Sequence, residues 1–189
     1  MTVLEIAQIG HPILRAPTRR VTREELATPA VQQLIDDMID TMRDAQGAGI
    51  AANQVVSDLR ITTIEVRRNR RYPYKPPIPL TVAVNPTWEH IDEELVEINE
   101  GCLSVPLRGS LRRHVNITVR YWDRHGEDHQ RTIHGLTAGT YQHEIDHLDG
   151  ILIVDRIDPA TLATWEQYEL HQRDDFVERI TQFVKRVGS

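Results

Sequence analysis

The chain of 189 residues carries a formal charge of -6, 40% hydrophobic residues and a single cysteine, Cys102. That length suits one domain with a core large enough to need no staples, and one cysteine excludes an intrachain disulfide and fits a reducing, cytoplasmic setting. The acidic balance argues against general binding to nucleic acid, and neither a signal-peptide pattern nor the roughly 20 apolar residues of a membrane span is found.

The stretch TPAVQQLIDDMIDTMRDAQG predicts a helix capped by Thr28, with Pro29 in its first turn and Val31, Leu34, Ile35, Met38, Ile39 and Met42 on one face. Gly47 reads as its stop, and GAGIAANQ as a glycine-permissive loop. RITTIEV and LTVAVNP read as strands around RRNRRYPYKPPIP, whose arginines and prolines predict an exposed loop. Lys75 in that loop and Lys185 are the only lysines among 22 basic residues, which reads as compositional bias.

ELVEINEGCLSVP reads as a strand, a tight turn and a second extended piece; HVNITVRYW reads as a strand followed by a turn at DRHGE and a further pairing segment. A helix through LTAGTYQHEIDHLD closes at Gly150, and ILIVDRID is expected to be extended. From Ala160 to Val187 the pattern predicts a terminal helix, bent or broken at Gln172 to Asp175, with Phe176, Ile180, Phe183, Val184 and Val187 on one face. Short antiparallel strands mixed with helices predict an α+β fold: one catalytic domain over residues 1–189, of which 160–189 form a helical extension.

The chemistry begins at QHEIDHLDG. His143 and His147 stand four apart, on one face of a helix, where two imidazoles meet one ion; Glu144 is offset by about 100 degrees, within reach of a water at that ion. The bland alternative is a solvated helix face in a chain with nine histidines. A third ligand has few sources: His171 downstream, or His134, His129 and Cys102 upstream. Cys102 in EGCLSVP sits where a strand gives way to a turn, and Cys with two His plus an open position is an accepted catalytic set. Its alternative is a small buried hydrophobe.

Three blocks in order, GAGIAANQ at 47–54, EGCLS at 100–104 and QHEIDHLDG at 142–150, together with an opening GHPILR, resemble the peptide deformylases. The resemblance runs from about residue 4 to residue 158 and implies the α+β deformylase fold. It implies hydrolysis of the N-formyl group from the N-terminal methionine of nascent polypeptides, with release of formate. Cys102, His143 and His147 would hold one divalent metal ion, Fe(2+) first, with Zn(2+) or Ni(2+) as alternatives. Thiolate and iron together would make the enzyme oxygen-sensitive.

Glu144 would be the general acid and base, and the Gln54 amide and the Leu103 backbone N–H would stabilise the oxyanion. Gly47, Ala48, Gly49, Ile50, Leu136 and Gly139 would bind substrate, an N-formylmethionyl peptide lying as an added strand. Glu100 is expected to support the site through a hydrogen bond or ion pair, and Asp146 to stand beside it or at the surface. The resemblance leaves open a transient ribosome contact. From Thr161 onward, however, Glu166, Glu169, Asp174, Asp175 and Glu178 face Arg173, Arg179, Lys185 and Arg186, so packing of the apolar face onto the body or self-association competes.

Two positions depart from the family. Ala48 and Gly139 stand where many members carry larger side chains near the pocket for the first substrate residue. The expectation is a wider pocket, or one refilled by Tyr141, Leu136 or a residue from afar. An enzyme for a dedicated formylated peptide or metabolite, or a non-catalytic binding protein, is the alternative function.

Overall fold

The computed structural model describes residues 2–67 and 72–188, so most of the basic run at 67–71 lies outside the described residues. In chain order the elements are α1 (Arg23–Leu26), α2 (Pro29–Asp44), β1 (Gly49–Ala51), β2 (Ile61–Val66), β3 (Ile78–His90), β4 (Leu95–Cys102), β5 (Val105–His114), β6 (Asn116–Trp122), β7 (Asp128–His134), α3 (Gly135–Leu148), β8 (Ala163–Thr164), α4 (Trp165–His171) and α5 (Arg173–Val187). The strands form two antiparallel sheets, β1-β2-β3-β6-β7 and β4-β5-β8. This is the α+β architecture expected from the sequence.

The larger sheet is covered on both faces, which is why all six residues of β2 are buried. On one side Ile61, Val82 and Val84 meet Ile35, Met38, Ile39 and Met42 of α2. On the other, Ile64, Ala83, Ile117 and Val119 meet Ala138, Tyr141 and Ile145 of α3. Leu136 of the same helix reaches Val96 and Ile98 of the smaller sheet. Helix α3 is therefore wedged between the sheets with twelve of its fourteen residues buried. An element so enclosed holds its side chains in fixed positions, the condition a metal site needs.

Thr28 caps α2 as expected, accepting from the Val31 N–H at 3.4 Å. The helix nevertheless ends before Gly47: Ala45 closes it and Gln46 takes the left-handed turn at φ 53°. GAGIAANQ is then not a loop but β1 followed by a 3-10 turn over Ala52–Val55. ILIVDRID is also not extended. Asp155 accepts the Leu152 N–H at 2.8 Å and folds Ile153–Asp155 into a 3-10 turn, a local side-chain bond that outcompetes sheet pairing here.

The terminal helix starts later than expected. Ala163 and Thr164 pair with Arg108 and Leu107 of β5, and helix resumes as α4, capped by Thr164 on the Gln167 N–H at 3.3 Å. The break falls at Gln172, inside the window that the apolar pattern marked. Phe176, Ile180, Phe183, Val184 and Val187 pack with Val96, Ile98 and Leu136, so the apolar face of α5 is spent on the body.

Candidate active site

Strand β4 ends at Cys102, where the β4–β5 register shifts between Gly101 and Cys102 before the turn to Val105. The shift places a 6% exposed thiol against α3. His147 Nε2 stands 3.2 Å from Cys102 Sγ, and the His143 and His147 rings lie 5.1 Å apart. One ligand atom from each of the three residues falls within 4.8 Å of the others. In a tetrahedral zinc-like site, sulfur and nitrogen ligands are separated by about 3.6 Å, so the set fits a single cation without rearrangement of the backbone.

The surrounding charges prepare these donors. His143 Nδ1 donates to the Glu100 carboxylate at 2.9 Å, which leaves its other ring nitrogen for an ion. Arg113 Nε and Nη2 donate to the same carboxylate, both at 2.9 Å. Burial alone would raise the Glu100 pKa, but Arg113 and His143 outweigh it and hold the carboxyl well below its usual range. Burial would likewise raise the Cys102 thiol; His147 and His143 reverse this and bring it down to about 5. The thiolate that a metal requires is thus favoured.

Glu144 is 4% exposed, its Oε2 lacks a hydrogen-bond partner among the described residues, and burial raises its pKa. Its carboxyl group occupies space that only glycine can leave: a Cβ on Gly49 would come within 2.5 Å of Glu144 Oε1. Gln54 is oriented by its neighbours. Its Oε1 accepts the Ala51 N–H at 2.9 Å, and its Nε2 donates to Ser104 Oγ at 2.9 Å and approaches Cys102 Sγ at 3.7 Å. The amide donors therefore point toward the thiolate.

A cavity opens at this cluster. Gln54, Cys102, Leu103, His143 and Glu144 line one end, Gly47, Ala48 and Gly49 one wall, and Leu136 and Gly139 continue it along α3. Ile50 does not line it with its side chain, which packs in the α2 core and leaves the Ile50 backbone on β1 to meet a peptide. Tyr141 does not refill it either, being packed with Ile64 and Ala83. Room at Gly139 is taken instead by Ile98, whose Cδ1 would stand 2.9 Å from an added Cβ.

Asp146, adjacent to His147 in sequence, turns away from the ring and binds Arg113 and Arg156, the latter at 2.8 Å through both Nε and Nη2. Arg113 and Ser104 went unassigned in the sequence reading, since nothing about an isolated arginine or serine in a strand or turn marks its partner. The loop read as exposed also returns: Tyr72, Tyr74 and Lys75 line the cavity. Its flanking aromatics were the one signal against the prolines.

The family model for polypeptide deformylase matches residues 3–163. The chain is 41% identical over 169 residues to Peptide deformylase 2 of Nostoc sp., covering 88% of this chain and 93% of the relative. It is 41% identical over 157 residues to Peptide deformylase 2 of Ralstonia nicotianae, covering 80% and 89%. The solved structure of a class I type b peptide deformylase from Acinetobacter baumannii with Met-Ala-Ser bound superposes at a TM-score of 0.78 and 40% identity, covering 82% of this chain and 99% of that one. Helices α4 and α5 lie beyond the residues the family model matches.

Proposed function

The chain belongs to the peptide deformylase family, and from that premise we propose how its own residues carry out the reaction. It is a hydrolase that removes the N-formyl group from nascent peptides, releasing formate and a free α-amine. Its family is metal-dependent, and Cys102, His143 and His147 are assigned as the ligands. A divalent cation held there supplies Lewis acidity and lowers the pKa of a water.

Glu144 takes the proton of the attacking water and returns it to the leaving amine, a double role suited to a buried carboxylate whose pKa is raised. Gln54 Nε2 donates to the oxygen that gains negative charge, joined by the Leu103 backbone N–H. A neutral amide donates without a competing anion, and removing one such donor costs about 3 kcal/mol of transition-state stabilisation. The substrate lies along β1 and β4, whose Gly49 and Gly101 line the cavity. The Met-Ala-Ser peptide held by the Acinetobacter enzyme supports a peptide as the ligand.

The single observation that carries the reading is the approach of Cys102 Sγ to His147 Nε2 at 3.2 Å, from elements 45 residues apart. We assign Fe(2+) as the ion, with Zn(2+) and Ni(2+) suited to the same mixed thiolate and imidazole set. A nascent-chain substrate supports a cytoplasmic setting. No helix among the described residues is long and apolar enough to cross a membrane. Transient ribosome contact would fall to the basic end of α5, Lys185 and Arg186.

Loading the metal-depleted chain with Co(2+) tests the ligand assignment. A thiolate-to-metal charge-transfer band is expected in the wild type and absent in Cys102→Ala; an identical spectrum in both would remove Cys102 from the site.

A further inference from the structure

The cavity that begins at the metal ligands also takes in the side chain of a lysine. Lys75 and Tyr74 line it together with Leu136, Gly139 and Thr140 of α3. Lys75 Nζ donates to Thr140 Oγ1 at 2.9 Å and stands 5.2 Å from the centre of the Tyr72 ring. The Thr140 hydroxyl in turn donates to the Leu136 carbonyl at 3.1 Å, so its lone pairs are what it offers to Lys75. An ammonium has three donors, and no carboxylate among the described residues pairs with Nζ. The bond to Thr140 therefore leaves Nζ with a donor unused, on a residue that lines the cavity.

The segment bearing Lys75 is held in place. The Tyr74 ring meets Phe176 of α5 edge-on at 5.2 Å, and the Lys75 N–H bonds the Tyr72 carbonyl at 3.1 Å. Thr140 lies three residues before His143, about 4.5 Å along the helix axis. Leu136, Gly139 and Thr140 continue the cavity wall from His143, so they stand beside the first side chain of a peptide whose formyl group lies at Cys102, His143 and Gln54. Lys75 lines the same cavity, which puts its amine among the groups a first side chain can meet.

We propose that Lys75 is a specificity-determining residue, which makes the enzyme favour formylated first residues ending in a neutral oxygen acceptor, such as methionine sulfoxide or glutamine, over apolar residues of equal length. The proposal rests on the deformylase reading and extends it to the first side chain. Ile98 fills the room beside Gly139, Ala48 offers only a methyl group to the cavity wall, and Lys75 supplies the polarity. An anionic tail is disfavoured because Glu100 and Glu144 share the cavity. The methionine thioether, a weak acceptor, falls between the sulfoxide and norleucine.

Formate release from formyl-X-Ala-Ser peptides, with X as methionine sulfoxide, glutamine, methionine or norleucine, tests this in the metal-loaded full chain. Wild type is expected to show kcat/KM for the sulfoxide and glutamine peptides at least about tenfold above norleucine, the scale of one hydrogen bond to a charged group. In Lys75→Met that ratio is expected to fall to near one. A ratio near one in wild type, or one unmoved by Lys75→Met, overturns the proposal while leaving the deformylase reading intact. Failure of wild type to release formate from any of the four peptides overturns both. Lys75→Gln keeps a shorter donor and serves if Lys75→Met does not fold, with a ratio below wild type again expected and an unchanged ratio again contrary.

Discussion

His143 Nδ1 and the Glu100 carboxylate stand 2.9 Å apart, joining a residue of α3 to one of β4 two positions before Cys102. Glu100 thereby orients one assigned ligand from the strand that carries another. Glu100→Gln keeps the shape and removes the charge that Arg113 and His143 both face. Metal affinity is expected to fall about 10- to 100-fold, as for other partners of a ligating histidine. Competition with a chelator measures it, and unchanged affinity would mean that His143 needs no orienting partner.

Gly49→Ala separates packing from ligation. The added methyl carbon would come within 2.5 Å of the Glu144 carboxyl, too close for either to stay. Metal content should be kept, while kcat drops about 100-fold because a displacement of 1 Å at a proton-transfer group is enough to cost that much. Full activity in this variant would show that Glu144 has freedom that the enclosed site does not suggest.

Acid sensitivity has a source away from the site. Arg43 of α2 donates to both oxygens of Glu65 in β2, at 2.8 and 3.1 Å, and this pairing holds the Glu65 pKa below its ordinary 4.5. Because the folded value is depressed, its contribution is fully present above the unfolded pKa and is lost as pH falls through the folded one. With Arg43 partly exposed, the contribution is about 1 kcal/mol after screening. Thermal melts of wild type and Glu65→Gln should differ at pH 7 and converge in acid; a gap that widens in acid would contradict the sign.

Phe176 links the C-terminal extension to the cavity through Tyr74. Phe176→Ala should cost about 3 kcal/mol, as for other buried Phe truncations, and should raise KM more than it lowers kcat because Tyr74 loses its support. Melting temperature and steady-state kinetics report the two effects; a stability loss with unchanged KM would confine α5 to a structural role.

Much of this was legible in the sequence for a physical reason. The α2 stripe and the strand runs are repeated patterns, each residue adding to the same signal, and HExxH fixes two side chains on one helix turn. Gln46, Asp155 and Ala163 escaped because their conformations depend on single local bonds or on pairing partners far along the chain. The inward turn of the Ile50 side chain was not legible because a motif names a segment while strand alternation decides which way each side chain points. Lys75 was hidden by composition: Arg and Pro signalled solvent, yet Tyr74 against Phe176 draws the segment inward, a contact between residues about a hundred positions apart.

Three residues are assigned to hold the ion, and Glu144 to move the proton. Anaerobically purified wild type and Glu144→Ala, each assayed for bound metal and for formate released from formyl-Met-Ala-Ser, test this most directly. Equal metal in both and nearly complete loss of formate release in the variant are expected; wild-type turnover by Glu144→Ala would show that another group moves the proton.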